Sequence, residues 1–251
     1  DPAKAAASTS PPLRVADHPV EGHGVIRRIA IDRPERLNAL NAGTLDALQA
    51  AFDAAAADPV VRVVVLTGAG NKFFCIGGRK VDLEETTLYP GVVPTLEMYE
   101  AIDRLQKPVI ACVNGFAVGG GNVLQMVCDI TIAKETAIFR QVGPMMGSFD
   151  AGYGTWYLED LVGKKRAKEI WFLNRKITAR EACDLGLINR VVPDDKLWSE
   201  TVAMATEISQ RGPYALAGIK SSFNARHQGV VGLSRLAHDL VLPLYFQSEE
   251  A

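Results

Sequence analysis

Two rhythms of apolar and polar positions divide the chain. In the first part, short apolar runs of strand length alternate with longer stretches whose apolar residues recur every three or four positions. Residues 25–31 mix apolar and basic side chains as a strand with one exposed face does. Residues 32–40 read as a turn, and 41–56 as an alanine-rich helix with Leu45, Leu48 and Phe52 at helical spacing. Residues 60–66 are a β-branched run that stops at Thr67-Gly68-Ala69-Gly70, a buried strand entering a turn. The alternation continues with helix 96–105, strand 108–113, helix 122–129, strand 130–133 and a short strand 137–139, before a glycine-rich segment 143–154. It predicts strand-strand-helix units winding about one core, an α/β fold. Beyond about residue 156 the pattern turns helical, over 158–173, 179–185, 195–211, 213–226 and 232–247. These amphipathic helices carry few convergent polar groups and can cover a neighbouring subunit as readily as their own core.

The 251 residues, 48% hydrophobic, suffice for one large core. Three regions are expected: a flexible lead-in over 1–24, its first part rich in Ala, Ser and Pro, a core over 25–195, and a helical C-terminal region over 196–251. A formal charge of −2 without a basic stripe argues against nucleic acid as a partner. The tight basic run Lys164-Lys165-Arg166 serves equally as a solvated helix end or a phosphate contact. Four cysteines in mostly apolar surroundings, without CxxC spacing, predict buried free thiols rather than disulfides. Two of the four histidines lie in the irregular N-terminal region and two near the C-terminus, with no cysteine or carboxylate at ligand spacing, so no metal site is expected. No apolar stretch reaches the roughly 18 to 20 residues of a membrane span and no signal-peptide pattern opens the chain, so a cytoplasmic protein is expected.

Candidate chemistry enters with two glycine clusters, Cys75-Ile76-Gly77-Gly78 and Val118-Gly119-Gly120-Gly121-Asn122. Each follows an apolar run and can open a helix with unpaired backbone N–H groups. Two such amide sources make an oxyanion hole for a carbonyl oxygen that turns anionic. As isolated motifs they read first as ordinary strand-to-helix turns or packing glycines. Their place at the carboxyl ends of strands, where α/β proteins put ligands, favours the site.

Arg33-Pro34-Glu35-Arg36-Leu37-Asn38-Ala39-Leu40, Phe74 to Gly78, Val113 to Gly121 and Cys128-Asp129-Ile130, in this order and spacing, resemble the enoyl-CoA hydratase, or crotonase, superfamily over roughly residues 25–250. The resemblance implies a crotonase-like spiral of ββα units with a C-terminal helical trimerisation region, assembled as a homotrimer or hexamer. It implies a coenzyme A thioester as substrate, no tightly bound cofactor, and an enolate oxygen resting on the amides of Gly78 and Gly120, with Gly119 beside them. Arg36, Ala39 and Lys220 are the coenzyme A candidates it points to, with surface charge the competing role for the two cations. The irregular loop 81–93, and Tyr89 within it, is the expected acyl-specificity element.

Side chains must then decide the reaction, because the fold leaves it open. Where hydratases of this superfamily carry two glutamates, this chain has Val123 and Gly143. Neither activates water nor protonates carbon. The segment Gln141 to Gly154, followed by Glu169-Ile170-Trp171-Phe172-Leu173, is similar instead to 1,4-dihydroxy-2-naphthoyl-CoA synthases, which close a ring, and 2-ketocyclohexanecarboxyl-CoA hydrolases, which open one. The resemblance implies Asp150 as acid/base and Ser148 as its hydrogen-bonding companion; outside it, an Asp before Ala-Gly is an ordinary turn residue. Gln141, Gly143 and Trp171 match positions that hold bicarbonate in some ring-closing synthases, or simply pack. The tyrosine proton donor of that branch falls at Phe246, with Tyr245 one place earlier, and Arg79 stands where the branch has Asp. Carbon–carbon bond chemistry on an acyl-CoA is the leading expectation. The alternatives are a hydratase or isomerase with relocated acid/base groups, and a noncatalytic member that binds coenzyme A or associates with RNA.

Overall fold

The computed structural model describes residues 11–78, 95–147, 149, 152–247 and 249. Its first element corrects the expected lead-in. Strand β1 (Leu13–Val20) runs antiparallel to β2 (Gly24–Ile31), with Leu13 opposite Ile31 and Val20 opposite Gly24. Six of the eight β1 side chains are exposed, so the segment offers no apolar alternation to read. Its ladder is reinforced by Arg27, whose guanidinium donates twice to Asp17 at 2.8 Å, and by an Arg14–Asp32 ion pair.

From β2 onward the chain climbs in repeating units. Helix α1 (Ala42–Ala57), capped by the Asn41 side chain on Thr44 N–H, leads to β3 (Val61–Gly68) and β4 (Phe73–Cys75). Helix α2 (Thr95–Arg104) is followed by β5 (Val109–Val113) and β6 (Phe116–Val118); α3 (Gly120–Val127) is followed by β7 (Ile130–Lys134) and β8 (Ile138–Arg140). The first strand of each pair joins a six-stranded sheet, ordered β1-β2-β3-β5-β7-β10, and the second joins a four-stranded sheet, ordered β4-β6-β8-β9. Strands β9 (Ile177–Thr178) and β10 (Arg190–Val192) close the two sheets. The ββα spiral expected from the sequence is therefore the observed architecture.

Both faces of the large sheet are covered, which explains the unbroken apolar run of β3. Val64 and Leu66 face a core shared with Phe52, Phe74, Met98 and Phe139. Val63 and Val65 face Ile110, Ile132 and Ala205, the last on the outer helix α7 (Leu197–Ser209). The expected helix 158–173 is two, α4 (Gly154–Val162) and α5 (Lys164–Leu173), separated at Gly163. After α6 (Ala179–Asp184) and α7, helix α8 (Pro213–Arg235) kinks at Gly229 and continues through a π-helical turn, Leu236–Val241, into α9 (Leu242–Phe246). No helix among the described residues is long and apolar enough to cross a membrane.

The corner between the two sheets is stapled by side-chain amides. Asn114 accepts from Gly68 N–H at 3.2 Å and donates to the carbonyls of Gly68 and Gly70 at 2.7 and 2.8 Å. Asn38 donates to Ala69 and Phe73 carbonyls at 3.0 and 2.8 Å. These bonds satisfy backbone groups in turns that no ladder serves. Asn114→Ala is expected to lower unfolding free energy by about 2 kcal/mol, seen as a lower urea midpoint at unchanged slope.

Candidate active site

The small sheet brings the two glycine clusters together through its register. Parallel pairing sets Cys75 of β4 beside Ala117 of β6, and Ala117 beside Phe139 of β8. Gly78, Gly120 and Val142 each lie three residues past these partners, so all three arrive at one carboxyl edge. Both clusters carry the same local signature, Phe-x-x-Gly-Gly, at 74–78 and 116–120. The contact is tight: a Cβ on Gly77 would fall 2.5 Å from Gly120 N, and one on Gly120 would fall 3.8 Å from Gly78 N. Gly77 also has φ +74°, a conformation that L side chains rarely adopt.

The Arg33–Leu40 turn supports this edge. Leu37 and Asn38 both take left-handed conformations, Asn38 Oδ1 accepts from Arg33 N–H at 3.0 Å, and Leu40 N–H donates to Gly77 O at 3.0 Å. Leu40 and Gly78 then pair as an isolated parallel bridge. Gly119 caps α3, with its own N–H spent on Arg140 O at 2.9 Å, which leaves Gly120 as the first helical residue. Among the described residues neither Gly78 N–H nor Gly120 N–H has an acceptor. The positive end of α3 adds to their pull on a negative oxygen. Cys75, beneath them, accepts from Gly77 N–H at 3.3 Å, and burial pushes its thiol up to about 12, so it stays protonated and is no nucleophile.

The third strand supplies a different feature. Gln141 is fully buried, and among the described residues neither atom of its amide group has a partner; Trp171 Nε1 is likewise buried and without a partner among them. Asn174, which ends α5, ties the two segments together: it donates to Trp171 O at 2.6 Å, its carbonyl accepts from Arg140 at 2.6 Å, and its side-chain oxygen accepts from Met145 N–H at 3.0 Å. Val142 packs where a Cβ on Gly119 would lie 3.4 Å away. The unpaired Gln141 amide thus follows the strand end that meets the start of α3, and Gly143 opens the short 3-10 turn Pro144–Met146 without a side chain. Val123 is buried in the first turn of α3.

The other expected site residues are placed as follows. Ser148, Asp150 and the Tyr89 loop lie outside the described residues. Arg36 ends a 3-10 turn, half-buried, with no partner for its guanidinium among the described residues. Ala39 is wholly buried, and its carbonyl accepts from Arg33 at 2.6 Å. Lys220 is not brought to the amides. Its ammonium, 8% exposed, donates to the carbonyls of Ile102 and Lys107 at 3.1 and 3.2 Å and to Asp129 at 2.8 Å, near the end of α3 remote from Gly120. It joins α8 to the strand-entry end of the core. Tyr245 lies on α9, 43% exposed, its ring 5.9 Å from that of Phe246. One residue at the site escapes the sequence reading: Tyr99 of α2, whose hydroxyl donates to Gly120 O at 3.1 Å. Its position in an amphipathic helix reads as plain core packing.

Two preorganised amides at one strand edge can stabilise an enolate or a tetrahedral oxyanion. Gly77→Ala combines a strained φ with a collision against Gly120. It is expected to weaken binding of acetoacetyl-CoA at least about tenfold by calorimetry, with unchanged far-ultraviolet circular dichroism.

Residues 21–250 match the family model described as enoyl-CoA hydratase/isomerase. Among solved structures, the enoyl-CoA hydratase from Bacillus anthracis is 30% identical, with a TM-score of 0.79 over 88% of this chain and 87% of that one. Pseudomonas aeruginosa PA4980 is 29% identical, TM-score 0.79, over 93% and 99% of the two chains. DspI of the same organism is 25% identical, TM-score 0.79, over 90% and 85%. Fold, motifs and family match agree, and the chain belongs to the enoyl-CoA hydratase/isomerase family of acyl-CoA enzymes.

Proposed function

We propose that this enzyme makes or breaks a carbon–carbon bond next to a coenzyme A thioester, through an enolate held on the Gly78 and Gly120 amides. One observation carries the reading. The residues at the two hydratase glutamate positions are Val123, buried in the first turn of the oxyanion helix, and Gly143, which has no side chain. Neither replaces a carboxylate for water addition. An enolate site remains useful without them. In ring closure a base takes the α-proton, the electron pair moves onto the thioester oxygen, and the α-carbon attacks a carboxyl carbon of the same acyl chain, which loses water. In ring opening water adds to a β-ketone, the C–C bond breaks with its electron pair passing to the thioester oxygen, and an acid returns a proton to the α-carbon. Asp150 is the acid/base assigned to either direction, with Ser148 as its companion; Tyr245 is a secondary proton donor.

Gln141, Gly143 and Trp171 are the proposed bicarbonate site. The unpartnered Gln141 amide and Trp171 N–H fit a small planar anion that both donates and accepts hydrogen bonds. Bicarbonate bound there supplies a base where the family's glutamate is missing. Phe223, Val230, Leu233 and Phe246 on the C-terminal helices are exposed and apolar, which supports burial between subunits of a homotrimer or hexamer. Arg36 is the proposed coenzyme A phosphate contact, with Ala39 and Gly119 lining the path.

Hydration is the second reading, favoured by the named activity of the Bacillus anthracis relative. Incubation with crotonyl-CoA, 2-ketocyclohexanecarboxyl-CoA and o-succinylbenzoyl-CoA, followed by mass analysis, separates them. Conversion of a cyclic or ring-forming substrate, with crotonyl-CoA returned unchanged, is the expected outcome; hydration of crotonyl-CoA alone rejects the proposal. Asp150→Asn should lower turnover of the accepted substrate by at least about a hundredfold with acyl-CoA affinity retained. In carbonate-free buffer, activity should fall and return with added bicarbonate. Activity indifferent to the anion assigns Gln141 and Trp171 to packing.

A further inference from the structure

The oxyanion helix begins with three consecutive glycines, Gly119-Gly120-Gly121. They permit the close approach of Gly77 but give this turn no side chains of its own to hold a donor in place. A displacement of a fraction of an ångström there is costly, since the donor must already point at the oxygen that becomes charged. Something outside the helix must hold it. Tyr99 meets that need. It is 2% exposed, neighbours the core residues Met98 and Ile102 on α2, and aims its hydroxyl at Gly120 O. A phenylalanine would pack equally well there, so the hydroxyl is retained for its bond. A Cβ on Gly120 would lie 3.5 Å from that hydroxyl, on the side that also faces Gly78 N. The far edge of the ring lies 3.3 Å from where a Cβ on Gly152 would sit, two residues along the chain from Asp150. The Tyr153 ring stands 6.3 Å away, centroid to centroid.

We infer that Tyr99 is a positioning residue for the enolate: its hydroxyl fixes the Gly120 peptide opposite Gly78, and its ring, with Leu96, backs the Gly152 turn. The inference rests on the enolate reading of the site. Its test is the near-ultraviolet absorbance of acetoacetyl-CoA bound as the enolate, read together with affinity and melting temperature. Tyr99→Phe should reduce the bound enolate fraction at fixed pH about tenfold, with affinity within about threefold of wild type, because alignment rather than contact area is lost. With the accepted substrate, kcat should fall while KM holds. Gly152→Ala, whose methyl presses on the ring, should shift the enolate fraction in the same direction with the phenol intact. A Tyr99→Phe protein that keeps the wild-type enolate fraction overturns the assignment. If that variant does not fold, a wild-type enolate fraction in Gly152→Ala overturns it. Wild-type protein that binds acetoacetyl-CoA without the enolate band overturns the enolate reading itself, and the role of Tyr99 with it.

Discussion

The approach of the Gly77 backbone to the Gly120 amide is the constraint on which the site depends. Here the two N–H groups that would serve one oxygen belong to chain segments closer than a Cβ allows, since a methyl on Gly77 would fall 2.5 Å from the opposite nitrogen. The small parallel sheet enforces this approach. Its strands set Cys75, Ala117 and Phe139 side by side, so equal extensions beyond the ladder deliver Gly78, Gly120 and Val142 to one level. Ligands in parallel α/β structures gather at such carboxyl edges because successive turns leave the sheet together there.

Close approach is obtained at the expense of rigidity, and the surrounding structure restores it with polar side chains and backbone bonds. Asn38 and Asn114 hold the corners behind β4, Leu40 N–H holds Gly77 O, and Arg140 O holds Gly119 N–H. Each bond satisfies a backbone group that a regular ladder would otherwise serve. The same logic separates Lys220 from the anion chemistry its charge suggests. Its ammonium satisfies two carbonyls and Asp129 where α2, β5 and α8 meet, and holding a buried cation there requires all three partners.

Much of this was legible in the chain. The β-branched run 60–66 and the heptad-like spacing of Leu45, Leu48 and Phe52 correspond to β3 and α1, and the Phe-x-x-Gly-Gly pattern occurs twice. What stayed hidden depends on remote partners. Strand β1 carries mostly exposed side chains and owes its form to pairing with β2 and to Arg27, which no local pattern encodes. Tyr99 and Lys220 sit on amphipathic helices, where helical spacing says which face turns inward but not which polar tip finds a carbonyl across the core. The equal extension of the three strands was likewise invisible, since register is a relation between segments.

Unpaired buried polar atoms locate function where spacing cannot. Buried amide groups without partners cost roughly 1–3 kcal/mol each, and folded proteins keep few of them. Of the buried side-chain atoms left without partners among the described residues, Asn122 Nδ2 lies in the first turn of α3 and both amide atoms of Gln141 lie one residue past β8. A core under selection for stability alone would replace Gln141 with an apolar residue of similar size. The amide is instead kept just past the end of β8, which Asn174 joins to α5. Asn122 and Gln141, unsatisfied and neutral among the described residues, thus flank the buried Val123 in sequence and in the strand order. Such groups support the proposed bicarbonate site, where a small anion would satisfy them.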